Sequence, residues 1–256
     1  MKLIFRLLLA VSPVLAQPHE NLNAVSWVQT SAEYRALTLQ TYRAAEASLQ
    51  RALEDKNWTA AVEQRRPASE LPPAIILDLD ETVLDNSALQ ARVAANGGIY
   101  NDEVWQKWVA EKKAGLVPGA REFVLSAHAR AVNIFYVTNR VCDPNKADDP
   151  TVLVLRRHYL PFAPERLLCK TDTTDKSPRR RLVAAGNRIL LLIGDDFNDF
   201  LTVPQEQFNI ESRQAAAQAF SRYWGERWFM LPNPTYGSWE RAVGYKVEEK
   251  RNALRQ

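Results

Sequence analysis

Short apolar runs that end in acidic or polar residues recur along the chain. The run Ile75-Ile76-Leu77 ends at Asp78, and a later run, 189–193, ends at Gly194-Asp195-Asp196. Apolar runs without alternation predict strands that are buried on both faces, as in a parallel sheet. We predict such strands at 74–79, 132–137, 167–170, 189–193 and 228–231.

Helical periodicity fills the intervals between these runs. From 31 to 56, apolar residues including Leu37, Ala45 and Leu49 recur at multiples of four, which predicts an amphipathic helix ahead of the sheet. Asp149-Pro150 is typical of a helix start. Strands that alternate with helices predict an α/β fold with a parallel sheet flanked by helices. We expect the insertion at about 87–118 and the N-terminal helices to form a helical cap.

Carboxylates gather at the ends of two predicted strands. Asp78 and Asp80 lie two apart in an extended segment, so their side chains point to the same side, and Asp195 and Asp199 follow a second strand. Ligands of open parallel sheets bind at the carboxyl ends of the strands. Carboxylates packed together repel unless a cation neutralises them, and oxygen ligands suit Mg²⁺. A calcium-binding loop pattern is absent from the sequence.

Phosphate-binding groups are predicted at two further strand ends. The strand at 132–137 leads into Thr138-Asn139-Arg140, which offers a hydroxyl and backbone N–H groups to phosphate oxygens. The loop after 167–170 holds Lys176, whose ammonium can offset charge on Asp78 and on a phosphoryl group. Arg179-Arg180-Arg181 opens the next predicted helix, and we expect it to be a solvated face.

Taken in order, the four features resemble the four motifs of the haloacid dehalogenase (HAD) superfamily of phosphotransferases. The longer strings resemble the class C bacterial acid phosphatases, whose subfamily also contains plant vegetative storage proteins, over nearly the whole chain from Trp27 to about Trp239. One departure is Asp196, where the family pattern has Asn, and it adds negative charge beside the expected metal ligands. The strings that carry the resemblance are Leu77-Asp78-Leu79-Asp80-Glu81-Thr82-Val83-Leu84-Asp85-Asn86, Thr138-Asn139-Arg140, Asp175-Lys176-Ser177 and Leu231-Pro232-Asn233-Pro234-Thr235-Tyr236-Gly237.

The resemblance implies a HAD-like Rossmannoid fold, a Mg²⁺-dependent phosphomonoesterase and a homodimer. Asp78 would attack phosphorus to form an aspartyl-phosphate, while Asp80 would act as general acid and base and offer its backbone carbonyl to the metal. Asp78, Asp195 and Asp199 would hold Mg²⁺. The residues expected to bind phosphate are Thr138, Asn139 and Lys176.

Two aromatic residues match positions where the resembled family clamps a substrate ring. Trp105 lies in the insertion and Tyr236 in the carboxy-terminal segment, so the resemblance implies nucleoside 5'-monophosphates and aryl phosphates as substrates. Stacking accepts any flat ring. Trp108, at helical spacing from Trp105, is expected in the core instead.

The amino terminus has the pattern of a secretory signal peptide. Lys2 and Arg6 precede an apolar stretch too short to span a bilayer, and Val14-Leu15-Ala16 is typical of a cleavage site. We therefore predict a signal peptide at 1–16 and a HAD-like phosphatase domain at 17–256, periplasmic or secreted, without a stable membrane anchor. The alternative is an amphipathic first helix of the domain. The formal charge of +3, or +1 without Lys2 and Arg6, predicts no nucleic-acid surface.

Several other chemistries are excluded by the sequence. Neither Cys142 nor Cys169 is followed six residues later by Arg, as a cysteine phosphatase requires, and the three histidines stand outside every motif. Glycine-rich nucleotide-binding loops are absent. A cytoplasmic phosphoacceptor domain would lack the second acid, Asp80, and would not be exported. A non-catalytic storage or binding protein of the same fold remains the alternative. The two cysteines are equally compatible with a disulfide and with two thiols.

Overall fold

The computed structural model describes residues 19–64, 67–204 and 207–255, and the predicted signal peptide at 1–16 lies outside this range. Short 3₁₀ turns at Pro164–Arg166 and Phe197–Asp199 accompany the helices and strands. In chain order the helices and strands are α1 (Leu22–Thr30), α2 (Ala32–Glu54), β1 (Pro73–Leu77), β2 (Leu84–Asp85), α3 (Ser87–Ala95), α4 (Asp102–Glu111), β3 (Gly115–Leu116), α5 (Ala120–Ala129), β4 (Asn133–Val137), α6 (Pro150–Arg157), β5 (Leu167–Leu168), α7 (Ser177–Gly186), β6 (Arg188–Gly194), α8 (Ile210–Ala219), β7 (Trp228–Met230), α9 (Ser238–Val243) and α10 (Val247–Asn252).

The main sheet is parallel and has the strand order β5-β4-β1-β6-β7. Each of the five predicted strands is confirmed to within two residues at either end. After β1 the chain builds β4 and β5 on one side and then returns to build β6 and β7 on the other. The connections therefore diverge at the carboxyl end of β1, and this reversal opens a crevice there.

Both faces of the sheet are covered, which explains why the strand residues do not alternate between apolar and polar. On β1, Ile75 and Leu77 belong to a core that includes Leu49 of α2. Ile76 belongs to a second core, which includes Val183 of α7. Burial on both sides requires apolar residues at consecutive positions.

Helix α2 is the predicted amphipathic helix, and it also contacts the loop after β1. Its Ser31 side chain caps the helix by accepting a hydrogen bond from the Tyr34 N–H. Leu37, predicted on the apolar face, is 40% exposed, because the buried stripe passes through Thr38 instead. The Tyr42 hydroxyl donates to the Thr82 carbonyl at 2.6 Å, so the helix supports the turn that follows Asp80.

The segment 87–118 contains α3, α4 and β3, and β3 pairs antiparallel with β2 to close it. Trp108 is in the core, as predicted, and its indole N–H donates to Asn86 Oδ1 at 2.7 Å. Among the residues that the structure describes, no helix has both the length and the apolar character needed to cross a membrane.

A disulfide joins the two cysteines. Cys142 follows β4 and Cys169 follows β5, and their Cα atoms lie 5.6 Å apart. The Lys170 N–H donates to the Arg140 carbonyl at 2.9 Å beside this link. The disulfide therefore ties together the two loops that carry Thr138-Asn139-Arg140 and Lys176.

Candidate active site

The chain turns sharply after β1 and presents two carboxylates to the crevice. The Asp78 N–H donates to the Ile193 carbonyl at 3.0 Å, which continues the pairing with β6 one residue past the strand. Glu81 has a φ of 56°, in the left-handed region, and the Leu84 N–H returns to the Leu79 carbonyl at 2.7 Å. A non-glycine residue in this region is uncommon, and such residues cluster at functional sites.

A cleft of about 480 Å³ opens at this edge of the sheet. It is lined by most of the residues predicted for chemistry and substrate binding: Asp78, Asp80, Trp105, Asn139, Lys176, Asp195, Asp199 and Tyr236.

Three of these carboxylates form a candidate metal centre. Ligand oxygens of Asp78, Asp195 and Asp199 lie within 4.8 Å of one another. A Cβ at Gly194 would collide with the Asp199 side chain, so the missing side chain at Gly194 allows the group to close.

Burial makes the anionic forms of these carboxylates unfavourable. It raises the pKa of Asp78 to about 7, despite the opposing effect of Lys176. Burial also raises the pKa of Asp195 well above its ordinary value, and the neighbouring charge of Asp78 adds to that shift. A hard divalent cation would relieve the repulsion and accept oxygen ligands, so this set of donors fits one.

Lys176 lies among the same carboxylates. Its ammonium is paired with Asp78 and donates to Asp199 Oδ1 at 2.6 Å. Burial by itself lowers the pKa of Lys176, but Asp199 and Asp78 together raise it above its ordinary value. The side chain is therefore a fixed positive charge next to Asp78.

Asp80 faces a different set of partners from Asp78. Arg140 donates to both oxygens of its carboxylate, from Nη2 to Oδ1 at 2.7 Å and from Nε to Oδ2 at 3.1 Å. Asn86 adds a hydrogen bond to Oδ1 at 2.9 Å. Arg140 was not predicted as a site residue, although its place directly after Thr138-Asn139 at a strand end was the available signal.

Thr138 and Asn139 follow β4. Asn139 is exposed and lines the cleft, whereas Thr138 is completely buried and is not among the lining residues. The Thr138 oxygen accepts a hydrogen bond from the Arg140 N–H at 3.1 Å. The Asn139 amide donates to the Thr174 carbonyl at 3.1 Å, and its oxygen accepts from Arg179 Nη2 at 2.7 Å. This segment is therefore bound to the loop that carries Lys176.

The prediction of a solvated face at 179–181 is wrong for the first two of its three arginines. Arg179 Nη1 donates to the Thr138 carbonyl at 2.5 Å. Arg180, only 1% exposed, donates to Glu63 Oε1 at 2.8 Å and to the Asp199 carbonyl at 3.1 Å. These loops leave carbonyls inside the protein that need donors, and arginine supplies several in a fixed geometry. Arg181 alone of the three is exposed.

An aromatic wall, defined here as Tyr100, Trp105 and Tyr236, lines the same cleft as the carboxylates. The Tyr100 ring centroid is 6.4 Å from that of Trp105 and 6.4 Å from that of Tyr236, and the two tyrosine rings are nearly parallel at 13°. The Tyr236 hydroxyl donates to Glu81 Oε2. Tyr100 was not predicted, and only its position just before α4 and Trp105 pointed to it.

Comparisons with known proteins agree with the fold and identify the family. Residues 10–239 match the family described as HAD superfamily, subfamily IIIB (Acid phosphatase). The structure is similar to that of the Class C acid phosphatase from Bacillus anthracis, with a TM-score of 0.80 and 30% identity over 93% of this chain and 98% of that chain. A crystal structure of Class C acid phosphatase from Bacillus anthracis with tungstate bound has a TM-score of 0.79 and 29% identity, and the same shares are covered.

Proposed function

Because the chain belongs to subfamily IIIB of the HAD superfamily, the acid phosphatases, and is therefore a phosphomonoesterase, we propose that it is a Mg²⁺-dependent enzyme that hydrolyses nucleoside 5'-monophosphates and aryl phosphates outside the cytoplasm. The observation that carries the proposal is the position of Asp78. It belongs both to the three-carboxylate cluster and to an ion pair with Lys176.

The proposed reaction has two displacements at phosphorus. A carboxylate oxygen of Asp78 attacks, the bond to the ester oxygen breaks, and Asp80 gives its proton to the leaving oxygen. Asp80 then removes a proton from water, which attacks the aspartyl-phosphate and releases inorganic phosphate and the free Asp78 carboxylate. Separate carboxylates thus serve as nucleophile and as acid and base.

The neighbouring cations bind and orient the phosphate. Lys176 contacts Asp78 and would donate to a phosphoryl oxygen as charge redistributes. The Thr138 side-chain oxygen accepts one hydrogen bond from the Arg140 N–H, and its hydroxyl hydrogen would be available to a phosphate oxygen. Asp78, Asp195 and Asp199 would hold Mg²⁺, with the Asp80 carbonyl as the expected fourth ligand, and Mg²⁺ would screen the approach of two anions.

The aromatic wall supports the proposed substrate class. The cleft is lined both by a nearly parallel pair of rings, Tyr100 and Tyr236, and by carboxylates and Lys176, which suits a ligand with a flat ring at one end and a phosphate at the other. The relative from Bacillus anthracis binds tungstate, a tetrahedral oxyanion that has the shape of phosphate.

Phosphate release tests the proposed activity. We expect release from p-nitrophenyl phosphate and AMP with Mg²⁺ and its loss with a chelator. Asp78→Asn should lower turnover by at least roughly 10³-fold without unfolding the protein. Asp148→Asn, an exposed residue, is the matched control. Turnover near wild type in Asp78→Asn would refute the nucleophile, and the absence of metal-dependent turnover in the wild type would favour a storage role.

Export is proposed from the signal-peptide pattern at 1–16, and the Cys142–Cys169 disulfide supports an oxidising compartment. Cell fractionation and amino-terminal sequencing of protein expressed in a bacterial host test this proposal. Mature protein that begins at Gln17 and lies outside the cytoplasm is the expected result. Full-length protein retained in the cytoplasm would contradict it.

A further inference from the structure

Two carboxylates, Glu81 and Asp196, hold the segment that carries Tyr236. Tyr236 itself donates to Glu81, which belongs to the loop after β1. Two residues later, Ser238 donates to Asp196 twice, from its N–H at 2.5 Å and from its hydroxyl at 2.5 Å. We call this pair of hydrogen bonds between Ser238 and Asp196 the Asp196–Ser238 anchor.

The two carboxylate oxygens of Asp196 accept hydrogen bonds from three donors. Its Oδ1 accepts from the Asn198 N–H at 2.8 Å and from the Ser238 hydroxyl, and its Oδ2 accepts from the Ser238 N–H. An asparagine here has one acceptor oxygen and one NH₂ group. With its oxygen toward Asn198, the NH₂ of an asparagine would face the Ser238 N–H, donor against donor. The anchor therefore requires a carboxylate.

The backbone between the ring and the anchor packs directly on the carboxylate. Gly237 has a φ of 143°, and a Cβ there would lie 2.9 Å from Asp196 Oδ2. The contact is too close for a side chain, so the path from Ser238 back to Tyr236 follows the Asp196 side chain. A shift of Asp196 is transmitted to the ring through two residues of backbone.

We propose that Asp196 is a positioning residue for Tyr236 and that the Asp196–Ser238 anchor determines the preference of the cleft for esters with a flat ring. The inference rests on the proposed function, since it assumes that Tyr236 contacts the substrate ring. The Asp196 side chain accepts from Ser238 on the ring-binding side, whereas its backbone N–H donates to Asp199 Oδ2 at 2.9 Å, so the test must separate the two effects.

The test compares an aromatic and a non-aromatic ester in three variants, Asp196→Asn, Ser238→Ala and Tyr236→Ala. For Asp196→Asn we expect the KM for AMP to rise about tenfold, equivalent to ~1.4 kcal/mol, with kcat little changed. Ser238→Ala removes one of the two hydrogen bonds to Asp196 and should raise the KM for AMP about threefold. The kcat/KM for glycerol phosphate, which has no ring, should stay within about twofold in both variants.

A second readout separates ring positioning from an effect on the metal ligands next to Asp196. We expect the Mg²⁺ concentration that gives half of the maximal thermal stabilisation to be the same in Asp196→Asn and in the wild type. A shifted Mg²⁺ midpoint, or an equal loss for AMP and glycerol phosphate, would overturn the inference. Ser238→Ala keeps every carboxylate, so it gives the answer even if Asp196→Asn folds poorly.

The variants also separate failure of the inference from failure of the proposed function. If Tyr236→Ala raises the KM for AMP and the other two variants do not, the role of the Asp196–Ser238 anchor is refuted, while substrate binding by the aromatic wall is supported. If Tyr236→Ala leaves the KM for AMP unchanged as well, the aromatic wall and the inference both fail. Phosphate release that depends on Asp78 would still identify the enzyme.

Discussion

Arg140 and Asp80 form a bidentate ion pair, in which Arg140 Nη2 is 2.7 Å from Asp80 Oδ1 and Arg140 Nε is 3.1 Å from Asp80 Oδ2. The side chains are 2% and 15% exposed, so little water competes for the pair. A guanidinium that binds both carboxylate oxygens fixes the plane of the carboxylate as well as its position. The orientation of Asp80, which follows β1, is therefore set by a residue that follows β4.

Arg140→Gln should impair the protonation of poor leaving groups. Without the guanidinium, Asp80 loses its fixed orientation, so we expect kcat for glycerol phosphate to fall roughly 10²-fold, within the range of acid–base contributions. The fall for p-nitrophenyl phosphate should be much smaller, because its leaving group needs little protonation. Steady-state kinetics with both esters measure the difference.

The control for this prediction is the same substitution in an Asp80→Asn background. If Arg140 acts through Asp80, adding Arg140→Gln to Asp80→Asn costs little further activity. Equal losses for both esters, together with a raised KM, would show instead that Arg140 binds the phosphate directly.

Removing the buried Arg180 should destabilise the fold strongly. Its partner Glu63 is only 6% exposed, so Arg180→Met leaves a buried carboxylate without its cation. We expect the free energy of unfolding to fall by ~3–5 kcal/mol. Urea denaturation measures it.

Arg181→Met is the matched control, because Arg181 is the exposed neighbour on the same helix. It should change stability by less than about 0.5 kcal/mol. The double variant Arg180→Met/Glu63→Gln should recover part of the loss. Equal stability of Arg180→Met and Arg181→Met would be inconsistent with a buried ion pair.

Stabilisation by Mg²⁺ should increase with pH. In the metal-free protein, burial raises the pKa of Asp78 to about 7, above its unfolded value of about 3.9. Between these values the folded state binds more protons than the unfolded state, so this contribution to the free energy of unfolding falls as pH rises. Mg²⁺ replaces the protons and relieves the repulsion between carboxylates.

Thermal denaturation with and without Mg²⁺ at pH 5 and pH 7.5 measures this dependence. We expect the larger rise in Tm at pH 7.5. Asp195→Asn, which removes one expected ligand, should reduce the rise, whereas the exposed Asp148→Asn should not. A rise of the same size at both pH values would contradict the prediction.

Reducing the disulfide should destabilise the protein. Cys142 and Cys169 are 27 residues apart, and closing a loop of that length is worth ~3.5 kcal/mol in the chain-entropy model. Urea denaturation with and without reductant measures the change. Cys142→Ser/Cys169→Ser should start from the lower stability and show no response to reductant. An unchanged wild-type midpoint in reductant would count against the role of the link.

The parallel sheet and the family were predictable because their signals are local. Apolar runs such as 189–193 are buried on both faces, and burial on both faces permits few polar residues. Trp108 was predicted in the core for a similar reason, its helical spacing. By contrast, Leu37 shows that local periodicity does not decide which apolar residue falls just outside the buried stripe.

The partners of the charged residues were not predictable in this way. Arg180 was expected on a solvated face, and no partner was predicted for Arg140. Both are buried because loops distant in sequence bring carboxylates or carbonyls to them, Asp80 being 60 residues from Arg140. No short-range pattern encodes such a contact.

By itself, the sequence determined the strands, the acidic strand ends and the order of the four motifs, because each depends on residues close together in the chain. Only the tertiary structure decided which carboxylate Arg140 orients and that Tyr100 joins Tyr236. Those contacts depend on the reversal of strand order at β1, which brings distant loops to one edge of the sheet. Tyr236 meets Glu81 across 155 residues for the same reason.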